Sequence, residues 1–337
     1  MYSRSTILLT LVVAAGTYFI GPRFTSTWAL AWDAPPYTAV AFSPDGHSVV
    51  LGSQAGIEVR SFPQMALKRR LMTELRHVHD LAFAPDGDSF LAAGGAPAED
   101  GAVERHTWPE PQSGTSASTR VNKHADVVYR VAWSPDGSHF ATAGGDGICF
   151  VFAANSSAPV VRYVGHSRAV LAVVYAPDGK TICTAGADQT IRVWSSATGD
   201  HVRTLDNHVG TINDLSFAPS GDSAEVASPM PHLVSVSDDR TVRLWQPTIG
   251  RLVRFQRFSA APRAMVGSSD GRHLFVACDD DGLRMLDRES LEVVAESSGS
   301  AKRTYAIGLH PTGRQLLVAG DSWRIEDVSA FTNAVKQ

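Results

Sequence analysis

The sequence predicts an all-β fold, a seven-bladed β-propeller built from four-stranded antiparallel blades. Two observations lead to this prediction: a five-residue turn that recurs seven times, and about four short β-type segments in each interval between turns. After residue 24 no segment has the 3.6-residue apolar period of an amphipathic helix. The whole repeated region is therefore expected to fold as strands and turns.

The recurring turn is typical of a hairpin corner. Proline at the first central position presets φ, Asp or Ser caps its own backbone, and Gly supplies the positive φ that reverses the chain. The seven copies are FSPDG at 42–46, FAPDG at 83–87, WSPDG at 133–137, YAPDG at 175–179, FAPSG at 217–221, GSSDG at 267–271 and LHPTG at 309–313.

The spacing of the turns indicates a repeat architecture. Successive copies begin 41, 50, 42, 42, 50 and 42 residues apart, and the two long intervals contain insertions rich in Pro, Ser, Gly and Ala that start at Trp108 and Asp222. A fixed period of this length predicts a solenoid or propeller, and the insertions are expected to be surface loops.

The unit around the fourth turn shows four strand-like segments, at 169–177, 180–186, 189–196 and 201–205. Four antiparallel strands repeated seven times predict a propeller, in which each sheet packs against its neighbours around an axis. The last unit supplies only three such segments, at 303–309, 314–320 and 323–328, whereas residues 27–32 form an extra strand-like segment before the first unit. We expect residues 27–32 to complete the last blade beside 323–328, because this pairing removes two open edges.

The predicted domain organisation has three parts: a signal peptide or membrane anchor at residues 1–23, one propeller at 24–332 and a tail at 333–337. The first part carries one early cation, Arg4, before an apolar stretch at 7–15 and small residues. This layout favours export or membrane anchoring, although the apolar stretch is short for a span of about 17 to 25 residues. The alternatives are a cytoplasmic protein whose first residues pack as an extra element, or a translation start assigned too early.

The net charge limits the classes of partner, and the positions of the cysteines indicate whether they form disulfides. The net charge is −4, and the only basic cluster is Lys68, Arg69 and Arg70, which is more typical of a solvated strand edge than of a lipid or nucleic-acid site. The cysteines Cys149, Cys183 and Cys278 lie in apolar strands of different units, so we expect small core residues without disulfides.

Spaced polar residues in the middle units resemble the WD-repeat family. The fourth unit has a Gly-His dipeptide and then a hydroxyl, a carboxylate and an indole; in two units the hydroxyl lies ten residues before the Trp and the carboxylate six before it. The sets are His166, Thr184, Asp188 and Trp194; His208, Ser235, Asp239 and Trp245; and, with Phe152 in place of Trp, His124, Thr142 and Asp146. The resemblance implies a buried hydrogen-bond network in each of these blades, and it weakens in the outer units.

No catalytic residue is predicted. Residues 267–271 fit the G-x-S-x-G pattern, but they occupy the register of the hairpin corner and not a strand-to-helix turn. The acidic run at 279–281 lacks the alternating ligands and distant Glu of a calcium loop, and no phosphate-binding loop or Cys-x-x-Cys pair is present. The sequence therefore predicts neither a cofactor nor a metal.

Aligning the units on their turns brings seven polar residues to equivalent places at the start of the innermost strands. They are His77, His79, Tyr129, Asn213, Arg263, Arg303 and Tyr305. In WD-repeat propellers this end of the strand opens on the face where partners commonly dock, so the resemblance implies a non-enzymatic scaffold that binds a protein or peptide, without nucleic acid, as a monomeric propeller. Two alternatives stay open: these residues are only polar strand ends, or the protein is an enzyme or a ligand-binding propeller whose channel mouth binds a small molecule or a metal, with His77 and His79 as metal ligands.

Overall fold

The computed structural model describes residues 35–109, 118–217, 231–297, 303–329 and 331. They form 27 strands in seven antiparallel sheets, six with four strands and the last with three. In every sheet the strands follow one another in chain order, and the first strands of neighbouring sheets pack side by side around a central channel. The predicted seven-bladed, all-β propeller is confirmed.

The first four blades lie between residues 39 and 205. Blade 1 contains β1 (Ala39–Phe42), β2 (Ser48–Ser53), β3 (Gly56–Ser61) and β4 (Leu67–Leu71). Blade 2 contains β5 (Val78–Phe83), β6 (Ser89–Ala96), β7 (Asp100–Thr107) and β8 (Ser118–His124). Blade 3 contains β9 (Val128–Trp133), β10 (His139–Gly144), β11 (Ile148–Ala153) and β12 (Pro159–Val164). Blade 4 contains β13 (Val170–Tyr175), β14 (Thr181–Gly186), β15 (Ile191–Ser195) and β16 (His201–Leu205).

The remaining three blades complete the ring. Blade 5 contains β17 (Ile212–Phe217), β18 (Leu233–Ser237), β19 (Thr241–Gln246) and β20 (Arg251–Arg257). Blade 6 contains β21 (Pro262–Gly267), β22 (His273–Cys278), β23 (Leu283–Asp287) and β24 (Val293–Ser297). Blade 7 contains β25 (Thr304–Leu309), β26 (Gln315–Gly320) and β27 (Trp323–Asp327).

The turn between the first two strands of a blade has the predicted chemistry. In blade 1, Gly46 has a φ of +72°, and Asp45 accepts hydrogen bonds from the Ser43 hydroxyl and the His47 amide. The equivalent glycine of blade 4, Gly179, has a φ of +68°. Only glycine adopts this conformation without steric cost, which explains the constant last position of the motif.

In the six blades with four described strands, side-chain burial falls from the second and third strands to the fourth. Strand β2 is buried along its whole length, whereas β16 is mostly exposed. The apolar clusters are shared between neighbouring blades, as when Ile191 of blade 4 packs with Leu233 of blade 5. Each blade therefore buries its two faces against its neighbours, and the seams between blades are the core of the protein.

Blades 7 and 1 meet directly and close the ring. The Tyr37 amide donates to the Gly320 carbonyl at 2.8 Å, and His310 stacks on Phe62 with its Nε2 atom 3.1 Å from the Gly46 carbonyl oxygen. The strand predicted at 27–32 to complete blade 7 lies outside the described residues. So do the predicted leader at 1–23 and tail at 333–337.

Within the described ranges, which begin at residue 35, no helix is long and apolar enough to cross a membrane.

Candidate functional site

The polar sets of the middle blades form hydrogen-bonded chains inside the sheets. In blade 4, His166 Nδ1 lies 2.9 Å from Asp188 Oδ2, and its Nε2 lies 2.7 Å from the Thr184 hydroxyl. The Trp194 indole N–H donates to the same hydroxyl at 2.8 Å. Blade 5 repeats this arrangement with His208, Ser235, Asp239 and Trp245.

The contacts define the order of donors in these sets. The indole donates to the hydroxyl, the hydroxyl can then donate to the imidazole, and the imidazole donates to the carboxylate. This order requires a neutral His, and burial lowers the pKa of His208. Burial acts to raise the pKa of Asp239, but hydrogen bonds from His208 and Thr241 outweigh it and leave the pKa well below its usual range.

Blade 3 has a shortened set. His124 contacts Asp146 and the Thr142 hydroxyl, at 3.0 and 2.7 Å, but Phe152 occupies the place of the Trp and packs against Phe140. Thr142 therefore lacks the indole donor that Thr184 has.

Two further blades contain polar substitutes that the sequence did not predict. In blade 6, Asp280 accepts bonds from the Arg284 guanidinium at 2.7 and 3.1 Å. In blade 2, the imidazole of His106 lies 3.3 Å from Glu104, with both side chains almost fully buried. The signal for Asp280 was available, since it lies six residues before Leu286, the residue at the Trp position.

The predicted rim residues converge on one cavity of about 760 Å³ at the mouth of the central channel. Six of the seven line it: His79, Tyr129, Asn213, Arg263, Arg303 and Tyr305. The seventh, His77, packs on His79 with 4.2 Å between ring centroids. The structure thus brings together side chains from five blades, separated by more than 200 residues of sequence.

One side of the mouth is aromatic and uncharged at neutral pH. This aromatic side consists of His77, His79 and Tyr129, and the His79 and Tyr129 rings are 5.2 Å apart. Burial, with a smaller contribution from His77, lowers the pKa of His79 to about 4. Burial also lowers the pKa of His77.

The opposite side of the mouth is cationic and consists of Arg263, Arg303 and Tyr305. Arg263 is held in place by Asp279, which it contacts through two nitrogens at 2.5 and 2.6 Å, and by Asp238 at 2.6 Å. Arg303 is exposed and its guanidinium forms no ion pair with any described residue, and Tyr305 is 40% exposed beside it. Arg303 and Tyr305 can therefore form further contacts.

A buried ion network forms the channel floor, which we define as Asp80, Arg130 and Asp214. Arg130 of blade 3 lies 2.6 Å from Asp214 of blade 5 and 3.5 Å from Asp80 of blade 2. Each carboxylate also accepts a hydrogen bond from a backbone amide of the next blade. The Val131 amide donates to Asp80, and the Met265 amide donates to Asp214. Burial raises the pKa of both carboxyls, although Arg130 opposes this.

The channel floor was missed by sequence reasoning. Its three members share one repeat position, three residues before the first residue of the turn, and the alignment of units could have shown this. The floor contains two carboxyl groups and one guanidinium, and it links three blades across the axis.

The alternative of a metal at His77 and His79 finds no third ligand. Among the described residues no group of three His, Cys, Asp or Glu side chains is arranged to hold a metal ion. The residues that fit the G-x-S-x-G pattern form a hairpin corner, as predicted: Ser268 donates to Asp270 within the turn, and Ser269, the serine of the pattern, is exposed.

The fold and the buried sets define a class of protein, a propeller whose blades are locked by His, Ser or Thr, Asp and Trp. Three stretches match the family described as WD domain, G-beta repeat: residues 116–152, 157–195 and 199–246. Residues 116–246 therefore carry WD repeats, and they lie within a seven-bladed β-propeller.

Two curated proteins are similar over part of the chain. The Nuclear distribution protein PAC1 of Coccidioides posadasii (strain C735) is 36% identical over 106 residues, which is 31% of this chain and 20% of that protein. The Autophagy-related protein 16 of Arabidopsis thaliana is 28% identical over 89 residues, 26% of this chain and 18% of that protein. The chain thus matches a fifth or less of the length of these relatives.

Proposed function

We propose that this protein is a non-enzymatic interaction scaffold that binds a protein or peptide at the channel mouth. WD-repeat propellers are typically scaffolds of this kind, and the mouth supplies a surface that differs from blade to blade. The observation that carries the proposal is the exposed pair Arg303 and Tyr305 beside a cavity that the channel floor closes below. Arginine and tyrosine are enriched among residues that dominate binding energy.

The two sides of the mouth suggest how a partner is oriented. Arg263 is already neutralised by two aspartates, so Arg303 is the side chain best able to pair with a partner carboxylate. The aromatic side offers uncharged rings for apolar or aromatic contacts. A partner segment that crosses the mouth would place an acidic residue on the cationic side and an apolar residue on the aromatic side.

The test is affinity capture from the native cell with a rim variant and a matched control. The rim variant carries Arg303→Ala and Tyr305→Ala, and the control carries Arg254→Ala and Phe255→Ala, which remove the same kind of pair from the exposed outer strand β20. We expect the rim variant to lose the captured partner and the control to retain it, with both melting temperatures close to that of the wild type. Equal capture by both variants would contradict the proposal.

We also propose that residues 1–23 export the propeller or anchor it to a membrane, and that the propeller is a monomer. The apolar stretch at 7–15 and the preceding Arg4 support the first part. Membrane fractionation of the full chain beside the chain lacking residues 1–23 tests it, because only the full chain should sediment with membranes or leave the cell. Light scattering of the shorter chain should give the mass of one chain.

A further inference from the structure

A groove of about 720 Å³ lies on the turn face of the ring, at the opposite ends of the strands from the channel mouth. We call it the seam groove, because it runs between the outer strand of blade 3 and the turns of blade 4. Its lining includes the apolar side chains Val151, Val161 and Tyr175, and the carboxylates Asp136 and Asp178 lie at its edge. Lys180 and His139 complete its ionisable groups.

The equivalent seam between blades 2 and 3 is filled by an arginine of the chain itself. Arg105 on β7 donates to the Ala154 carbonyl at 2.9 Å and to the Asn155 side chain at 2.6 Å. Its guanidinium lies 5.8 Å from the centroid of the Trp133 ring. The space that remains there is only about 120 Å³.

The seam between blades 4 and 5 also contains an arginine, which comes from the fourth strand of its blade and not from the third. Arg203 on β16 donates through Nε to the Thr248 carbonyl at 3.3 Å. The seam between blades 6 and 7 is filled differently, by Phe331, which is buried against Phe275.

Strand register shows that the seam groove lacks both arginines. Arg105 pairs with Leu91 of its sheet, and the residue at that position in blade 3 is Val151, which pairs with Ala141. Arg203 pairs with Val193, and its counterpart in blade 3 is Val161, which pairs with Val151. Two valines therefore stand where neighbouring blades place a guanidinium, and the groove is open.

The partners that an arginine would need are nevertheless in place. Tyr175 begins the turn of blade 4 as Trp133 begins that of blade 3, so its ring takes the place of the ring under Arg105. Tyr175 is 6% exposed, and its hydroxyl has no hydrogen-bond partner among the described residues. Ser196 corresponds to Ala154 by its hydrogen bonding. The Ser196 amide donates to the Lys180 carbonyl, and the Ala154 amide donates to the Ser138 carbonyl. Lys180 and Ser138 each follow the glycine of the turn in their blade.

The electrostatics also favour a cation. Hydrogen bonds from Ser134 and Ser138 hold the pKa of Asp136 at about 2, so this carboxylate is charged at neutral pH. With Asp178 there are two acidic groups against one Lys180. A planar guanidinium suits such a site better than an ammonium, because it stacks on a ring and donates in several directions at once.

We propose that the seam groove binds an arginine side chain carried by an extended segment of a partner protein. The guanidinium lies against the Tyr175 ring, donates to the Ser196 carbonyl and faces Asp136. The partner backbone lies along β12, an outer strand at the edge of its sheet whose Val160 is exposed to solvent. This site is separate from the channel mouth and does not depend on the function proposed for it.

Saturation-transfer NMR on the full chain tests the proposal with the blocked peptide Ac-Ala-Arg-Ala-NH2. We expect transfer to the arginine methylenes, at least fivefold less to Ac-Ala-Lys-Ala-NH2, and none to Ac-Ala-Ala-Ala-NH2, since the guanidinium provides the specific contacts. Val161→Arg restores the arginine seen at Arg203 and should abolish transfer. Val164→Arg adds the same charge to the same strand outside the groove, at a 59% exposed residue, and should leave transfer unchanged.

Tyr175→Phe provides a second, milder variant. It removes only the unpartnered, buried hydroxyl, so the free protein should be as stable as the wild type or slightly more stable, and peptide binding should be unchanged. The proposal is overturned if the wild type shows no transfer, if Val161→Arg and Val164→Arg bind equally, or if the lysine peptide binds as well. Free L-arginine binding as tightly as the blocked peptide would overturn the assignment to a protein segment.

Discussion

Blades 5 and 6 place an aspartate at the same repeat position and stabilise it in different ways. Asp239 of blade 5 has a side chain that is 1% exposed and accepts hydrogen bonds from His208 and Thr241, as well as from Arg243 four residues later. Asp280 of blade 6 is 39% exposed, and Arg284, at the position of Arg243 on the following strand β23, neutralises it. A carboxylate is buried only where several donors surround it; where the His is missing, the acid moves towards solvent and one arginine suffices.

The same contrast holds between the middle and the ends of the repeat array. Blades 3 to 5 carry the internal polar chains, whereas blades 7 and 1 meet through Tyr37, His310 and an aromatic cluster. The blades share the strand order and the buried second strand, and the blades whose first turn is described share its glycine conformation. The fold therefore tolerates loss of the polar set in a blade as long as the seam beside it is filled.

The largest expected loss of stability comes from removing the segment that is predicted to close the ring. Removing residues 24–34 deletes the strand predicted to complete blade 7, so the whole ring should melt at a much lower temperature than the longer chain. Calorimetry on the chain beginning at Pro35, beside the chain beginning at residue 24, measures this. A shorter chain that melts as cooperatively and as high as the longer one would show that blade 7 needs no N-terminal strand.

The second prediction compares the two aspartates directly. Asp239→Ala should lower the free energy of unfolding by about 3 kcal/mol, because it leaves buried donors of His208 and Thr241 without an acceptor. Asp280→Ala should cost less than about 1 kcal/mol, as expected for a solvent-screened pair. Denaturant titration of both variants measures the two losses in the free energy of unfolding. Equal losses would contradict the claim that blades 5 and 6 stabilise their aspartates differently.

The hydroxyls of blades 4 and 3 give a finer comparison. Thr184→Val leaves both the Trp194 indole N–H and the Nε2 atom of His166 without a partner and should cost about 3 kcal/mol. Thr142→Val affects only His124, because Phe152 has no N–H to donate, and should cost about half as much. If the two substitutions cost the same in denaturant titrations, the indole bond adds nothing to stability.

The smallest effect on stability at neutral pH concerns the rim. The pKa of His79 is lowered from 6.5 to about 4 in the folded protein, so between these pH values the unfolded chain binds more protons than the folded one. Stability should therefore fall as the pH drops through this window. His79→Gln should flatten the pH dependence of the melting temperature between pH 6.5 and 4, whereas an unchanged slope would mean that His79 is protonated as easily when folded.

The fold was predictable from sequence because its signals are local. The turn at 175–179, and the spacing of Thr184, Asp188 and Trp194, each depend on residues a few positions apart. Repeat alignment extended this to the rim, because equivalent positions in a ring share a face.

Interactions that cross blades were not predictable in the same way. Arg130 contacts Asp214, which lies 84 residues later in the sequence, and Arg263 is held by Asp238 of blade 5 as well as by Asp279. Both depend on side-chain reach across a seam or the channel, which periodicity does not encode. The open seam beside Val161 was likewise visible only once Arg105 and Arg203 could be seen to fill the adjacent ones.

The central claim is that partner recognition takes place at the channel mouth, apart from the sets that hold the blades together. The most direct measurement is site-specific photo-crosslinking in the native cell, with a benzophenone side chain in place of Tyr305 or, as the matched control, in place of Phe255 on β20. The account predicts a partner crosslinked in high yield from position 305 and little or nothing from position 255. Crosslinking of the same partner from position 255 and not from position 305 would contradict it.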